Sequence, residues 1–285
     1  MAPQHLAHAT GRRRRRAHHA QSGVVMIIAC STLCFTAEPF DRACAYIADL
    51  GFQAVDIALM EQWAHFNPSE MVDDPSEAID KAREGLDRAG LTAVSMNASA
   101  GISDVGPEGN RLRAICAFAN AFDISTICYV PPIEAVGMER AQRRFERLHS
   151  ISQELGVTLA IEAHARTMLE MPDRAVEFCE AVPGIALTFD SSHMVAGQNQ
   201  GAPFDQIFPY VRNTHWRDSG TSWDQCQQPL GEGVVDFDHC FSALDAVDYD
   251  GVYSVEYIDS FPNGGIAQVE AMQRLLEARL YRPAS

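Results

Sequence analysis

Residues 157–190 read VTLAIEAHARTMLEMPDRAVEFCEAVPGIALTFD, and this stretch decides the fold. Two short apolar runs, 157–163 (VTLAIEA) and 185–190 (IALTFD), flank a segment, 173–181, whose apolar residues recur at helical spacing. Runs this short suit buried strands better than helices. A strand, a helix and a second strand form a parallel crossover unit, because parallel neighbours cannot be joined by a tight turn. Each apolar run carries an ionisable residue near its carboxyl end, Glu162 in the first and Asp190 in the second.

The same alternation extends in both directions. Strands are expected at 26–34, 52–58, 91–97, 124–130, 157–163, 185–190, 211–216 and 251–257. Helices are expected near 38–50, 76–89, 107–122, 138–155, 173–181, 203–209, 236–247 and 265–280. Gly51, Gly90 and Gly156 fall where three of these helices stop, the usual place for a C-capping glycine. Eight such units over about 260 residues predict a single (β/α)8 TIM barrel. A doubly wound open sheet would carry a glycine-rich phosphate turn after its first strand, and Cys30-Ser31-Thr32-Leu33-Cys34 has none. The expected division is a disordered, Arg-rich leader at 1–25 and a barrel domain at 26–285.

The leader holds Arg12 to Arg16 and no acidic residue. The apolar run after it is short and flows into the first strand without a cleavage signal, so a secretory signal is not the favoured reading. Beyond residue 25, 17 basic residues face 38 acidic ones, a charge near −21. Such a body repels phosphate backbones, which argues against nucleic acid as a partner. A composition of 47% hydrophobic and 21% charged residues excludes wholesale disorder. No run reaches 18 apolar residues, so no membrane span is expected. Lys81 is the one lysine and falls on an outer helix, which leaves little room for Schiff-base chemistry. The eight cysteines lack a C-x-x-C pair, and several sit in apolar runs. They read as reduced core thiols, and the localisation expected from them is cytoplasmic.

Active groups of such a barrel gather at the carboxyl ends of the strands. Four ionisable residues lie there on the fifth to eighth strands: Glu162, Asp190, His215 and Glu256. Any one of them alone reads as a cap or an ion-pair partner. Three carboxylates converging with one imidazole need a cation to offset their repulsion. Oxygen-rich ligands with one imidazole suit Mn²⁺, with Mg²⁺ or Co²⁺ as alternatives.

The chain resembles the sugar phosphate isomerase/epimerase family with the xylose-isomerase-like barrel. The resemblance is densest from Val157 to Ser260, through IEAH (161–164), DSSH (190–193), HWRD (215–218), GEG (231–233) and VEY (255–257), and weaker in GFQAVDI (51–57). It implies that Glu162, Asp190, His215 and Glu256 bind one divalent ion. It also implies that Glu162 and Glu256 act as the catalytic pair, moving protons on opposite faces of a keto sugar or sugar phosphate through a metal-stabilised enediolate. His193 then contacts a substrate oxygen. Arg217, Asn97 and His164 complete the expected substrate-binding set, and Arg217 has a competing reading as the ion-pair partner of Asp218. His65, Trp63 and the pair Gly264-Gly265 lie in loops where packing and tight turns explain them equally well.

The expected function is a metal-dependent isomerase or epimerase acting on a small sugar or polyol in carbohydrate metabolism, with homo-oligomerisation left open. The alternative is a dehydratase of a cyclic keto-polyol or related acid, which uses the same enediolate chemistry. A DNA-repair endonuclease would need more histidines and a basic face. A non-catalytic binding barrel would be marked by loss of a ligand, and all four are present.

Overall fold

The computed structural model describes residues 26–130, 137–199 and 201–281. The expected leader lies outside them. Eight strands close into a barrel: β1 (Ile27–Ser31), β2 (Ala54–Leu59), β3 (Thr92–Ala98), β4 (Thr126–Tyr129), β5 (Thr158–Glu162), β6 (Ala186–Asp190), β7 (Val211–Trp216) and β8 (Val252–Val255). Each pairs in parallel with the next, and β8 returns to β1 through Ile27↔Val252 to Cys30↔Val255. The (β/α)8 barrel expected from the alternation is the observed fold.

Seven α-helices cover the outside among the described residues: α1 (Phe40–Asp49), α2 (Ser76–Ala89), α3 (Val105–Asn120), α4 (Met138–Glu154), α5 (Pro172–Ala181), α6 (Phe237–Asp245) and α7 (Ile266–Leu280). The helix expected near 203–209 is instead a 3₁₀ turn, Asp205–Tyr210, with Pro209 inside it. Proline has no N–H to donate and crowds the preceding turn, so an α-helix cannot propagate through it. The first strand also stops earlier than its apolar run. The Ser31 side chain accepts from the N–H of Leu33 and caps a 3₁₀ turn over Thr32–Phe35. Gly90 caps α2 at φ 68°, and Gly51 and Gly156 follow the caps of α1 and α4 at φ 91° and 73°, a region that costs glycine little.

The strands alternate with period two. Ile57 and Leu59, Leu159 and Ile161, Leu187 and Phe189, and Tyr253 and Val255 belong to the core between sheet and helices. The residues between them point into the barrel: Asp56 and Ala58, Ala160 and Glu162, Thr188 and Asp190, Ser254 and, just past β8, Glu256. On β7 the outward position is taken by Trp216, stacked on Phe241 of α6 at 4.7 Å, which leaves Asn213 and His215 inward. Outside the barrel, Arg144 of α4 grips Glu108 of α3 with two hydrogen bonds of 2.7 and 2.6 Å, and Tyr129 donates to the same carboxylate at 2.8 Å. All eight cysteines are buried and free.

Candidate metal centre at the barrel mouth

Glu162, Asp190, His215 and Glu256 arrive from four successive strands, each at an inward position near the carboxyl end. Register places Asp190 level with His215, and Glu162 level with Thr188, two residues below Asp190. This stagger follows from the tilt of strands in a closed barrel. Ligand atoms of all four lie within 4.8 Å of one another, and all four residues are buried. His215 Nδ1 faces Glu162 Oε1 at 3.3 Å and Glu256 Oε1 at 3.5 Å. Oxygen donors joined by one imidazole match the coordination of a hard or borderline divalent cation. The residues present therefore fit a metal.

Buried charge is balanced here by neighbours. Arg217 Nη2 donates to Asp190 Oδ2 at 2.7 Å, and its Nη1 lies 3.5 Å from Glu256 Oε2. Burial pushes the Asp190 carboxyl up, and the Arg217 guanidinium together with His193 and His215 more than offsets this, so its pKa lies below the ordinary value. Glu162 follows the same pattern: burial raises it, while the His215 hydrogen bond and three nearby imidazoles bring it well below the carboxylate range. Glu256 goes the other way. Burial, reinforced by Glu162 and Asp190, outweighs His215 and Arg217 and lifts it to about 7. Burial opposes the charged form of His215, but Glu256, Asp56 and Glu162 overcome it and raise its pKa.

The expected substrate-binding residues surround this cluster. Asn97 Nδ2 donates to Glu256 Oε1 at 2.8 Å, while Asn97 Oδ1 has no hydrogen-bond partner. His193 is fully buried, and burial followed by the neighbouring His164 lowers its pKa to about 3, so its ring is neutral. Its Nε2 lies 3.3 Å from Arg217 Nη2, and its Nδ1 is unpartnered. His164 lies beyond the end of β5; its ring packs on His193 with centroids 3.8 Å apart, and its Nδ1 meets the carbonyl of Ala165. Glu162, His164 and His193 also bring ligand atoms within 4.8 Å of one another. Arg217 engages the Nε2 lone pair of His193, which disfavours a second cation there.

The pairing of Arg217 with Asp218 is corrected by the structure. Asp218 instead accepts from the backbone N–H groups of Ser219, Gly231 and Gly233 at 2.8, 2.8 and 3.1 Å. It thereby pins the 231–233 loop, and a Cβ at Gly233 would collide with its carboxylate. His65 bonds the carbonyls of Phe35 and Glu38, a packing role. Gly264 approaches the carbonyl of Ile258 too closely for any side chain.

Three features escaped the sequence reading. Asp56 lies in the middle of β2, 3.3 Å from His215 Nε2. Trp223 stacks on His193 at 5.9 Å beneath Arg166. Cys128 of β4 lies beside Glu162 and His215. A signal for Asp56 was available: a carboxylate at mid-strand in AVDIAL has no solvent to reach.

Fold and site together define a (β/α)8 barrel with a buried acid–imidazole cluster at its mouth. The chain belongs to the xylose isomerase-like TIM barrel family, whose sequence pattern matches residues 44–278. It is similar to a ketose 3-epimerase of Arthrobacter globiformis, 25% identical over 138 residues, 46% of each chain. That match spans about half the length of the relative. Among solved structures, a xylose isomerase-like TIM barrel protein from Mycobacterium smegmatis in complex with magnesium superposes with a TM-score of 0.69 at 16% identity, covering 90% of this chain and 96% of the other. The probable 3-DHS dehydratase of petrobactin synthesis from Bacillus anthracis gives 0.69 at 15% identity, over 89% of this chain and 100% of the other. No helix among the described residues is long and apolar enough to cross a membrane.

Proposed function

We propose that this protein is a divalent-metal-dependent epimerase or isomerase of a ketose or ketose phosphate. The observation that carries the reading is the convergence of Glu162, Asp190, His215 and Glu256 within 4.8 Å at the buried floor of the barrel mouth. The partial match to a ketose 3-epimerase supports the substrate class. Those four residues would hold the ion, with Mn²⁺ the preferred candidate. When bound, the ion supplies Lewis-acid stabilisation of the charge that develops on a substrate carbonyl oxygen.

The chain's own groups supply the rest. Glu162 and Glu256 approach His215 Nδ1 from opposite sides of β7, from β5 two strands away and from the end of the adjacent β8. One carboxylate takes the proton from the carbon beside the carbonyl, and the other returns a proton to the opposite face of the enediolate. Asn97 holds Glu256 in place by its 2.8 Å hydrogen bond. Neutral His193 accepts from Arg217 through Nε2, which leaves its Nδ1–H as a donor for a substrate oxygen. Leu33, Met60 and Ile258, which follow β1, β2 and β8, pack with Phe261 into an apolar wall at the mouth. Trp63 stacks on Phe261 at 6.2 Å. Such a wall suits the C–H face of a sugar and keeps water from the carbanionic intermediate.

The test is metal analysis of the purified protein, then incubation with a panel of ketoses and ketose phosphates in deuterated water. Deuterium uptake at the carbon beside the carbonyl, with an epimeric or isomeric product, is the expected result. Loss of water from a cyclic keto-polyol, without epimer formation, would assign a dehydratase instead.

A further inference from the structure

The barrel interior holds a carboxylate that the four-residue cluster does not include. Asp56 lies at the middle of β2, fully buried, with Ser31 of β1 and Ser95 of β3 as its register neighbours. Neither of its oxygens accepts a well-formed hydrogen bond. The charged or chargeable partner it meets is His215, whose Nε2 lies 3.3 Å from Asp56 Oδ2. A buried carboxylate is costly without a donor, so this approach has to compensate its placement.

The geometry also fixes which ring nitrogen faces which partner. An ionised carboxylate only accepts, so the nitrogen facing it must carry hydrogen. The same rule puts hydrogen on Nδ1 in the metal-free ring; a cation bound at the shared point displaces that proton and takes the Nδ1 lone pair, leaving Nε2–H toward Asp56. Nδ1 is the atom that faces Glu162 at 3.3 Å and Glu256 at 3.5 Å. The side-chain amide of Asn213 also approaches Nε2, at 3.4 Å. Its nitrogen and oxygen are interchangeable by rotation, and the carboxylate is the stronger acceptor of the two. Asp56 comes from three strands away around the barrel, so the ring of His215 is clamped between β2 on one side and β5 and β8 on the other.

We propose that Asp56 is a positioning residue that holds the His215 ring through Nε2–H and so aims Nδ1 at the point shared by Glu162, Asp190 and Glu256. This rests on those four residues being the ligands of a divalent ion. A carboxylate behind a ligating imidazole fixes the ring and raises its basicity, and its removal typically weakens metal binding by about 10–100-fold. Asp56 is therefore part of the metal centre although it touches no metal.

The experiment compares wild type, Asp56→Ala and Asp56→Asn after metal stripping. Mn²⁺ affinity is measured by titration calorimetry, and the His215 ring N–H by nuclear magnetic resonance of histidine-labelled, Mg²⁺-loaded protein. The His215 signal is assigned by its loss in His215→Asn. The expected result is Mn²⁺ affinity reduced by about 10–100-fold in Asp56→Ala, with loss of the slowly exchanging Nε2–H signal. Asp56→Asn keeps an oxygen acceptor, so it should retain that signal and fall between the other two in affinity. It also serves if Asp56→Ala does not fold. Wild-type affinity together with an unchanged Nε2–H signal in Asp56→Ala would overturn the proposal; if Asp56→Ala does not fold, wild-type Mn²⁺ affinity in Asp56→Asn would overturn it. If the wild type binds no Mn²⁺, the four-ligand reading fails. The Nε2–H measurement, then made on metal-free protein, still decides whether Asp56 holds the His215 ring.

Discussion

Arg217 donates a 2.7 Å hydrogen bond to Asp190 inside the barrel, and both side chains are shielded from solvent. The pair joins two consecutive strands, β6 and the end of β7, at the floor of the candidate metal centre. Its Nε also donates to Ser192 at 2.9 Å, so the guanidinium is held at several points. Removing one member of such a pair leaves an uncompensated buried charge. Arg217→Met should destabilise the metal-free protein by about 3–5 kcal/mol. Saturating divalent cation should recover part of that loss, because it replaces the missing positive charge beside Asp190. Urea unfolding with and without Mn²⁺ measures both effects; equal losses in the two conditions would show that Arg217 does not serve Asp190.

Ligation and proton transfer separate by substitution. Asp190→Ala should act by weakening metal binding, so excess metal should restore part of the activity. Glu162→Gln and Glu256→Gln keep shape and one donor oxygen but lose basicity. Each should hold its metal and lose turnover by about 10²–10⁴-fold. Deuterium exchange that survives in one Gln variant and vanishes in the other would identify the abstracting carboxylate for the substrate used. Near-normal turnover in both would reject the two-carboxylate mechanism.

Metal affinity should depend on pH through Glu256. Burial and its acidic neighbours raise this carboxyl from its ordinary 4.5 to about 7 in the metal-free protein. Below that pH a proton occupies the site, and the cation must displace it. His215, whose pKa is also raised, must shed a proton too, so affinity should fall as pH drops, and more steeply below about 7, by roughly tenfold per pH unit for each proton released. Titration calorimetry between pH 5.5 and 8 in buffers of different ionisation enthalpy measures both the slope and the proton count. A slope that does not steepen below about pH 7 would contradict a raised Glu256.

The buried Arg144–Glu108 pair should behave as a purely structural lock. It joins α3 to α4, and Tyr129 at the end of β4 donates to the same carboxylate. Glu108→Ala removes the buried carboxylate that both Arg144 and Tyr129 address, and a loss of about 3–5 kcal/mol is expected in chemical unfolding. Mn²⁺ affinity of the folded variant should stay within about threefold of wild type, since the pair contacts none of the four candidate ligands. A large drop in affinity would tie this lock to the metal centre.

The sequence by itself determined the barrel and the parity of the site. Short apolar strands alternating with amphipathic helices have one economical closed arrangement, and side chains alternate along a strand. Glu162, Asp190, His215 and Glu256, at the ends of four successive strands, therefore had to share one mouth. Local chemistry also set where chain elements stop: Gly90 ends α2, and Pro209 turns the sixth crossover into a 3₁₀ segment. Partnerships between side chains distant in sequence were not legible. Arg217 precedes Asp218, yet it pairs with Asp190, while Asp218 gathers the N–H groups of a loop 13 to 15 residues later. Asp56 looked like one polar residue in an apolar strand, and its contact with His215 spans 159 residues of chain. Such contacts depend on the tilt and stagger with which strands close around the barrel axis. A pattern of residue types records which face a side chain takes, but the distance across the barrel exists only once the sheet has closed.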